Sequence, residues 1–296
     1  MDCKGVSELC IDKNRSKHKI LFILPSLRGG GAERVVLNII RGLNQDKFEI
    51  ELVALNGEGE YLDLIPENIK FFNLKKKRTR YSIFRIVKVI NSEKPKIILS
   101  SAGQVAILLY FARKLLRYKP IIVPRSSTFQ SQVKANKVIK MLFHLAFRNS
   151  DYVIVTTEGM KNDLVENYNV RKDKIWVMYN PIDLENIESL KKGLIEDKYF
   201  SERPVILGCG RLVEEKGFSH LIKAFSTVVK RYPKAKLLIL GQGPKKGELE
   251  KLAMNLGIRD KVIFLNFRKN PFKYMANADV FVLSSLREGL PNVLLE

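Results

Sequence analysis

Residues 20–31 read Ile20-Leu21-Phe22-Ile23-Leu24-Pro25-Ser26-Leu27-Arg28-Gly29-Gly30-Gly31, an apolar run that gives way to a glycine cluster. A strand of that composition leaves no face for water, and two-sided burial is the mark of a parallel sheet covered by helices. From Ala32 the pattern changes to a helical period, with Val35, Val36, Ile39, Ile40 and Leu43 on one face. Strand, glycine loop and helix make the first unit of a doubly wound α/β domain.

Outward from this unit the alternation continues. Apolar runs near 50–55, 96–100, 120–124, 152–156 and 175–179 read as strands, separated by helical patterns such as 82–92, 104–117 and 132–147. At Asn180-Pro181-Ile182-Asp183 the rhythm breaks, and the polar segment to about Glu202 has no strand pattern, as a connection between domains would. A second series starts with strand 205–209 and helix 218–231. It continues through strand 236–240, helix 246–256, strand 262–265, a short helix near 272–277 and strand 280–284. The expected organisation is a polar leader at 1–18, a first Rossmann-like domain at 19–183, a linker at 184–203 and a second Rossmann-like domain at 204–296. Val293, Leu294 and Leu295 open a helix that stops at Glu296 without most of its packing face, so the second domain reads as truncated.

Composition narrows the class. A chain of 296 residues with 46% hydrophobic content can bury two cores, which excludes a disordered or fibrous protein. Cys3, Cys10 and Cys209 are too scattered for a disulfide framework or a zinc site, and His18, His144 and His220 show no metal-ligand spacing, so no metal is expected. The leader lacks the apolar core of a signal peptide, and no later window approaches about 20 apolar residues, so a cytoplasmic, soluble or peripheral protein is expected. The net charge of +21 is concentrated: residues 70–148 hold nineteen Lys or Arg against one acid, Glu93. Lys75, Lys76, Lys77, Arg78 and Arg80 precede a helix carrying Ile83, Phe84, Ile86, Val87 and Ile90, and Lys134, Lys137 and Lys140 recur at helical spacing. Such a surface attracts anionic lipid headgroups, at about 1 kcal/mol per cation near a membrane. A solvated helix face has the same composition, and no DNA- or RNA-binding signature accompanies it, so nucleic acid is not an expected partner.

Three segments carry chemistry. Gly29, Gly30 and Gly31 lie between a buried strand and a helix start, where close backbone approach and free N–H groups suit an anion, although a tight βα turn has the same need for glycine. In the second domain, Gly210-Arg211 ends strand 205–209 and Lys216-Gly217 precedes the next helix, placing two cations at the crevice of an open sheet; pairing with Glu214 and Glu215 is the alternative. The third segment is Glu288-Gly289-Leu290-Pro291-Asn292, leading into a helix with Glu296. Two carboxylates so spaced could accept hydrogen bonds from sugar hydroxyls, while Glu296 also suits an ordinary first-turn acid.

In this order the segments resemble glycosyltransferase family 4, a GT-B family of retaining enzymes, from about Ile20 to the last residue. The specific motifs are Gly210-Arg211-Leu212-Val213-Glu214-Glu215-Lys216-Gly217 and Glu288-Gly289-Leu290-Pro291-Asn292-Val293-Leu294-Leu295-Glu296, supported by Asn180-Pro181-Ile182-Asp183. The resemblance implies that Arg211 and Lys216 bind the donor diphosphate, that Gly289, Leu290, Pro291 and Asn292 hold phosphate and sugar, and that Glu288 faces the transferred sugar. It also implies that Glu296 holds the nucleotide ribose, that Phe267 and Arg268 lie beside the base, and that Gly30 and Gly31 lie near the diphosphate and sugar. Fixed cations and N–H dipoles would then stabilise the leaving diphosphate, with no metal and no cofactor beyond the nucleotide-diphospho-sugar substrate, UDP being the common donor.

Many members carry a histidine after the strand corresponding to 120–124, where this chain has Pro124-Arg125-Ser126-Ser127; Arg125 is assigned here to the acceptor or membrane side. The function implied is transfer of a hexose or N-acetylhexosamine from a UDP-sugar to a lipid-linked or glycan acceptor at the inner membrane face, in lipopolysaccharide, O-antigen or capsule synthesis. The alternative is a sugar-nucleotide-binding pseudoenzyme or partner subunit. A nicotinamide dehydrogenase is disfavoured because neither glycine cluster reads Gly-x-Gly-x-x-Gly.

Overall fold

A computed structural model describes residues 17–76, 78–195 and 197–296. The leader to residue 16, with Cys3 and Cys10, and Lys77 of the basic run therefore lie outside the described residues.

The first series of elements is β1 (His18–Ser26), α1 (Gly31–Gly42), β2 (Phe48–Asn56), β3 (Lys70–Asn73), α2 (Ile83–Glu93), β4 (Ile97–Ser101) and α3 (Gly103–Ala112). It continues with β5 (Ile121–Ser126), α4 (Lys137–Arg148), β6 (Val153–Val155), α5 (Glu158–Tyr168) and β7 (Ile175–Val177). These strands form one seven-stranded sheet, paired in parallel throughout, in the order β3-β2-β1-β4-β5-β6-β7. β1 is central and buried on both faces, as its composition requires. Leu21 and Ile23 pack into the layer of α2 and α3 with Ile86, Ile90, Val105 and Leu109, whereas Ile20, Phe22 and Leu24 pack with Val36, Leu37 and Ile40 of α1. Truncating Ile23, whose side chain is fully buried, is expected to cost about 2–5 kcal/mol, since a central two-sided strand cannot collapse around the cavity. Urea denaturation of Ile23→Ala checks this; a loss well under 1 kcal/mol would contradict the packing.

After α6 (Leu184–Leu190) comes the second series: β8 (Val205–Cys209), α7 (Phe218–Arg231), β9 (Lys236–Leu240), α8 (Lys246–Asn255), β10 (Val262–Asn266), α9 (Phe272–Asn277), β11 (Val280–Phe281) and α10 (Asn292–Leu295). Its sheet is parallel in the order β10-β9-β8-β11. Leu237 and Ile239 of β9 face α7 and α8, while Leu238 and Leu240 face the opposite layer with Tyr274 of α9. Two doubly wound parallel-sheet α/β units are thus present, as the apolar runs predict.

The details differ in four places. β3 is a four-residue edge strand, too short for a period to show, and it leads directly into the basic run. α4 begins at Lys137 instead of 132, because the Asn136 side chain accepts from the Ile139 amide and caps the helix there. The helix expected over 104–117 ends at Ala112 and tightens into a 3₁₀ turn. β11 spans only Val280–Phe281, after which a single bond from the Val282 amide to Leu207 O leads the chain away.

In each sheet the connection order reverses beside one strand, β1 in the first and β8 in the second. Ligands of open α/β sheets bind outside the carboxyl ends of strands at such switch points. The first switch point carries Gly29–Gly31. The second carries Gly210–Lys216 and, after β11, the loop to Asn292.

Candidate functional site

The two switch points face each other and are tied across the cleft. Asn292, at the start of α10, donates through Nδ2 to Gly31 O at 3.0 Å, and its Oδ1 accepts from Asn180 Nδ2. The same Asn180 amide reaches Leu290 O at 3.4 Å, while Asn180 Oδ1 accepts from Arg125 Nη2. Arg34 of α1 donates from Nη1 to both carboxylate oxygens of Glu296, at 3.0 and 3.1 Å, and from Nε to the Tyr61 hydroxyl. Its guanidinium stacks over the rings of Tyr61 and Phe272.

Glycine is required where these walls touch. Gly29 has φ +70°, and a Cβ there would stand 2.6 Å from the Phe267 ring. Phe267 in turn meets Tyr61 edge to face, with centroids 6.0 Å apart. At Gly289 a Cβ would lie 2.5 Å from Ser127 O and 2.1 Å from Met160 Cε, so the loop after β11 presses against the chain that leaves β5.

On the second domain, Lys216 ends a 3₁₀ turn whose cap, Gly217, is left-handed at φ +62°. The turn is strapped to the loop after β11: Ser284 Oγ donates to Lys216 O at 2.9 Å, and the Leu286 amide donates to Glu215 O at 2.8 Å. Lys216 Nζ is thereby brought onto Glu288 Oε1, an ion pair across 72 residues of sequence. Lys216 therefore pairs with neither Glu214 nor Glu215; Glu214 faces Lys245 instead. Arg211 is exposed and lies close enough to the Glu33 carboxyl of α1 to favour its ionised form. Burial is the larger influence and holds Glu33 above the ordinary carboxylate range, opposed by a backbone hydrogen bond, Arg211 and the Ser26 hydroxyl.

The structure thus brings Gly30, Gly31, Lys216, Glu288, Gly289, Leu290, Pro291, Asn292, Glu296 and Phe267 to one cleft, with Arg211 at its rim. Arg268 is exposed, next to Phe267. Arg125 requires a correction: it is 1% exposed and so belongs to no membrane-facing surface, because β5 delivers it to the carboxyl edge of the sheet beneath the 288–292 loop.

Lys75, Lys76, Arg78 and Arg80 lie apart from the cleft residues, on the segment between β3 and α2, with Arg80 stacked on Tyr81. α2, α3 and α4 form one layer, and Phe84 of α2 is 78% exposed and Val138 of α4 60%. Among the described residues no helix is long and apolar enough to cross a membrane, and no group of three or more His, Cys, Asp or Glu is arranged to hold a metal ion.

Sequence reasoning missed Arg34, Asn180 and Tyr61 as parts of the site. One signal was legible: an arginine in the first turn of α1 opposes the helix dipole, and such a position asks for a partner. Asn180 stood in a noticed motif, but nothing local shows that its amide bridges two domains.

Residues 29–186 match the family described as Glycosyltransferase Family 4, and residues 194–296 match Glycosyl transferases group 1. The chain is 30% identical over 299 residues to an N-acetylgalactosamine-N,N'-diacetylbacillosaminyl-diphospho-undecaprenol 4-alpha-N-acetylgalactosaminyltransferase of Campylobacter jejuni, covering 94% of this chain and 77% of that one. It is also 30% identical over 253 residues to the uncharacterized glycosyltransferase MJ1059 of Methanocaldococcus jannaschii, covering 79% of this chain; it spans 62% of that relative's length. Among solved structures it is similar to Anabaena Alr3699/HepE in complex with UDP and glucose, at TM-score 0.75 and 19% identity, over 94% of this chain and 77% of that one. The similarity in fold identifies the two facing units as GT-B architecture.

Proposed function

The chain belongs to glycosyltransferase family 4, and on that premise we propose that it is a retaining transferase that moves a hexose or N-acetylhexosamine from a UDP-sugar to a membrane-associated glycan acceptor. The observation that carries this reading is the junction at Asn292, which holds the first-domain glycine loop and the second-domain phosphate-type loop together across one cleft. In this reading the donor diphosphate lies between Gly30–Gly31 and Arg211–Lys216. Its charge is met by the two cations and by backbone N–H groups of the 289–292 loop, an arrangement fixed before the reaction and independent of any metal. Glu288 then exchanges its bond with Lys216 for bonds from sugar hydroxyls, and Glu296 accepts from the ribose.

When the glycosidic bond to the diphosphate breaks, the leaving oxygen gains charge beside Lys216. The acceptor oxygen forms the new bond to the anomeric carbon, and its proton passes to a basic oxygen of the departing phosphate. The acceptor enters over the basic layer of α2 and α4, whose exposed Phe84 and Val138 among lysines and arginines suit an anionic membrane surface at the cytoplasmic face. Two further relatives, 26% and 23% identical to the chain and named for lipopolysaccharide core and amylovoran biosynthesis, support an acceptor in surface polysaccharide assembly.

The test is transfer of labelled sugar from a panel of UDP-hexoses and UDP-N-acetylhexosamines to a polyprenyl-diphosphate-linked glycan in vesicles. Product with the donor's anomeric configuration is expected. A chain that binds UDP but transfers none of these sugars would be a sugar-nucleotide-binding partner subunit instead.

A further inference from the structure

Arg125 is the largest fully buried side chain among the described residues, at 1% exposure. Its Nη2 donates to Asn180 Oδ1, but Nε and Nη1 find no acceptor, and among the described residues no carboxylate pairs with it. Burial draws its pKa down to about 10, which still leaves the guanidinium charged at neutral pH. A buried, charged group with two unsatisfied donors is strongly disfavoured unless something supplies the missing acceptors and counter-charge.

Its position says where that partner comes from. Arg125 stands one hydrogen bond behind Asn180, whose amide touches Leu290 O and Asn292, and Asn292 in turn holds Gly31 O. Only β4 separates β5 from β1, so the carboxyl ends of the two strands lie about 10 Å apart at ordinary strand spacing. Two residues beyond Arg125, Ser127 O packs against Gly289. The free donors therefore lie on the first-domain side of the junction, buried beneath the 288–292 loop. In the loop after β11, Ser285 Oγ is likewise buried without a partner.

We propose that Arg125 is an oxyanion-binding residue of this cleft, its free Nε–H and Nη1–H donors taking a phosphate or carboxylate oxygen of the bound sugar nucleotide. This rests on the sugar-nucleotide reading of the cleft. The planar guanidinium suits either anion, and two sources supply one: the donor diphosphate, or a carboxylate on the transferred sugar. The site thus adds a first-domain cation to those of the second domain.

The experiment compares wild type, Arg125→Gln and Arg125→Lys by calorimetry with UDP, UDP-glucose and UDP-glucuronate. Glutamine retains a donor for Asn180 Oδ1 without the charge, and lysine restores the charge. A fall of tenfold or more for UDP itself in Arg125→Gln, partly recovered in Arg125→Lys, assigns the diphosphate as the partner. A comparable fall for UDP-glucuronate alone, with UDP and UDP-glucose unchanged, assigns a sugar carboxylate. Equal affinities for all three ligands in wild type and Arg125→Gln overturn the proposal. Thermal shift by inorganic phosphate provides an arm that needs no nucleotide. Phosphate is expected to stabilise wild type more than Arg125→Gln, and equal shifts count against the proposal even if the chain binds no UDP. Absence of UDP binding with a phosphate shift that still depends on Arg125 would remove the donor assignment and leave the oxyanion site standing.

Discussion

Lys216→Ala is expected to lower kcat/KM for sugar transfer by roughly 10²–10³-fold, the usual cost of removing one fixed donor aimed at a developing oxyanion. The turn that Gly217 caps and the bonds from Ser284 Oγ and the Leu286 amide fix the Lys216 backbone, and Glu288 holds the ammonium itself. Its loss also leaves Glu288 without the ion-pair partner it has among the described residues, and that carboxylate then repels an incoming diphosphate. Both consequences act in the same direction. Lys216→Arg retains the charge and should recover part of the rate. Steady-state kinetics with saturating acceptor checks the expectation; a loss below tenfold would show that Lys216 serves only to pair with Glu288.

Gly289→Val is expected to reduce turnover by about a hundredfold with little change in thermal stability. Its Cβ would meet Met160 Cε, the flexible end of a side chain, and Ser127 O, which is backbone and cannot give way. The 288–292 loop must therefore move away from the end of β5. Moving it stretches both side-chain bonds of Asn292, which are among those that join the two domains. A displacement near 1 Å in a positioning element typically costs two orders of magnitude in rate. Gly289 is on a half-buried loop outside both sheets, so the melting temperature should stay close to wild type. Activity measured alongside a circular dichroism melt distinguishes this from unfolding, and full activity in the variant would mean that the loop does not set the cleft.

How much of this is legible in the sequence follows from the range of each signal. β1 announces itself because both of its faces are buried, so composition alone reveals the parallel sheet. β8 and β9 do the same. β3 does not, since a four-residue edge strand has one neighbour and no period. The glycines of the first loop are visible as a cluster, but their reasons are not: Gly29 is required by Phe267, which lies in the other domain. Lys216 is placed correctly at a switch point by the strand–turn–helix pattern, whereas its partner Glu288 is set by tertiary folding across 72 residues. Arg125 shows the limit most clearly. In a stretch so rich in basic residues it reads as one more surface cation, and only the strand register reveals that β5 carries it inward.

The most direct test of the central claim is calorimetric titration of UDP into the wild-type chain and into an Arg211→Ala, Lys216→Ala double variant, both in EDTA. If the facing switch points form a metal-free nucleotide-diphosphate site, wild type binds one UDP per chain with EDTA present. The double variant, with two charge-assisted contacts of about 1.5–3 kcal/mol each removed, then loses at least a hundredfold in affinity. A folded wild type that binds no UDP, or binds it only when divalent metal is restored, would contradict the account.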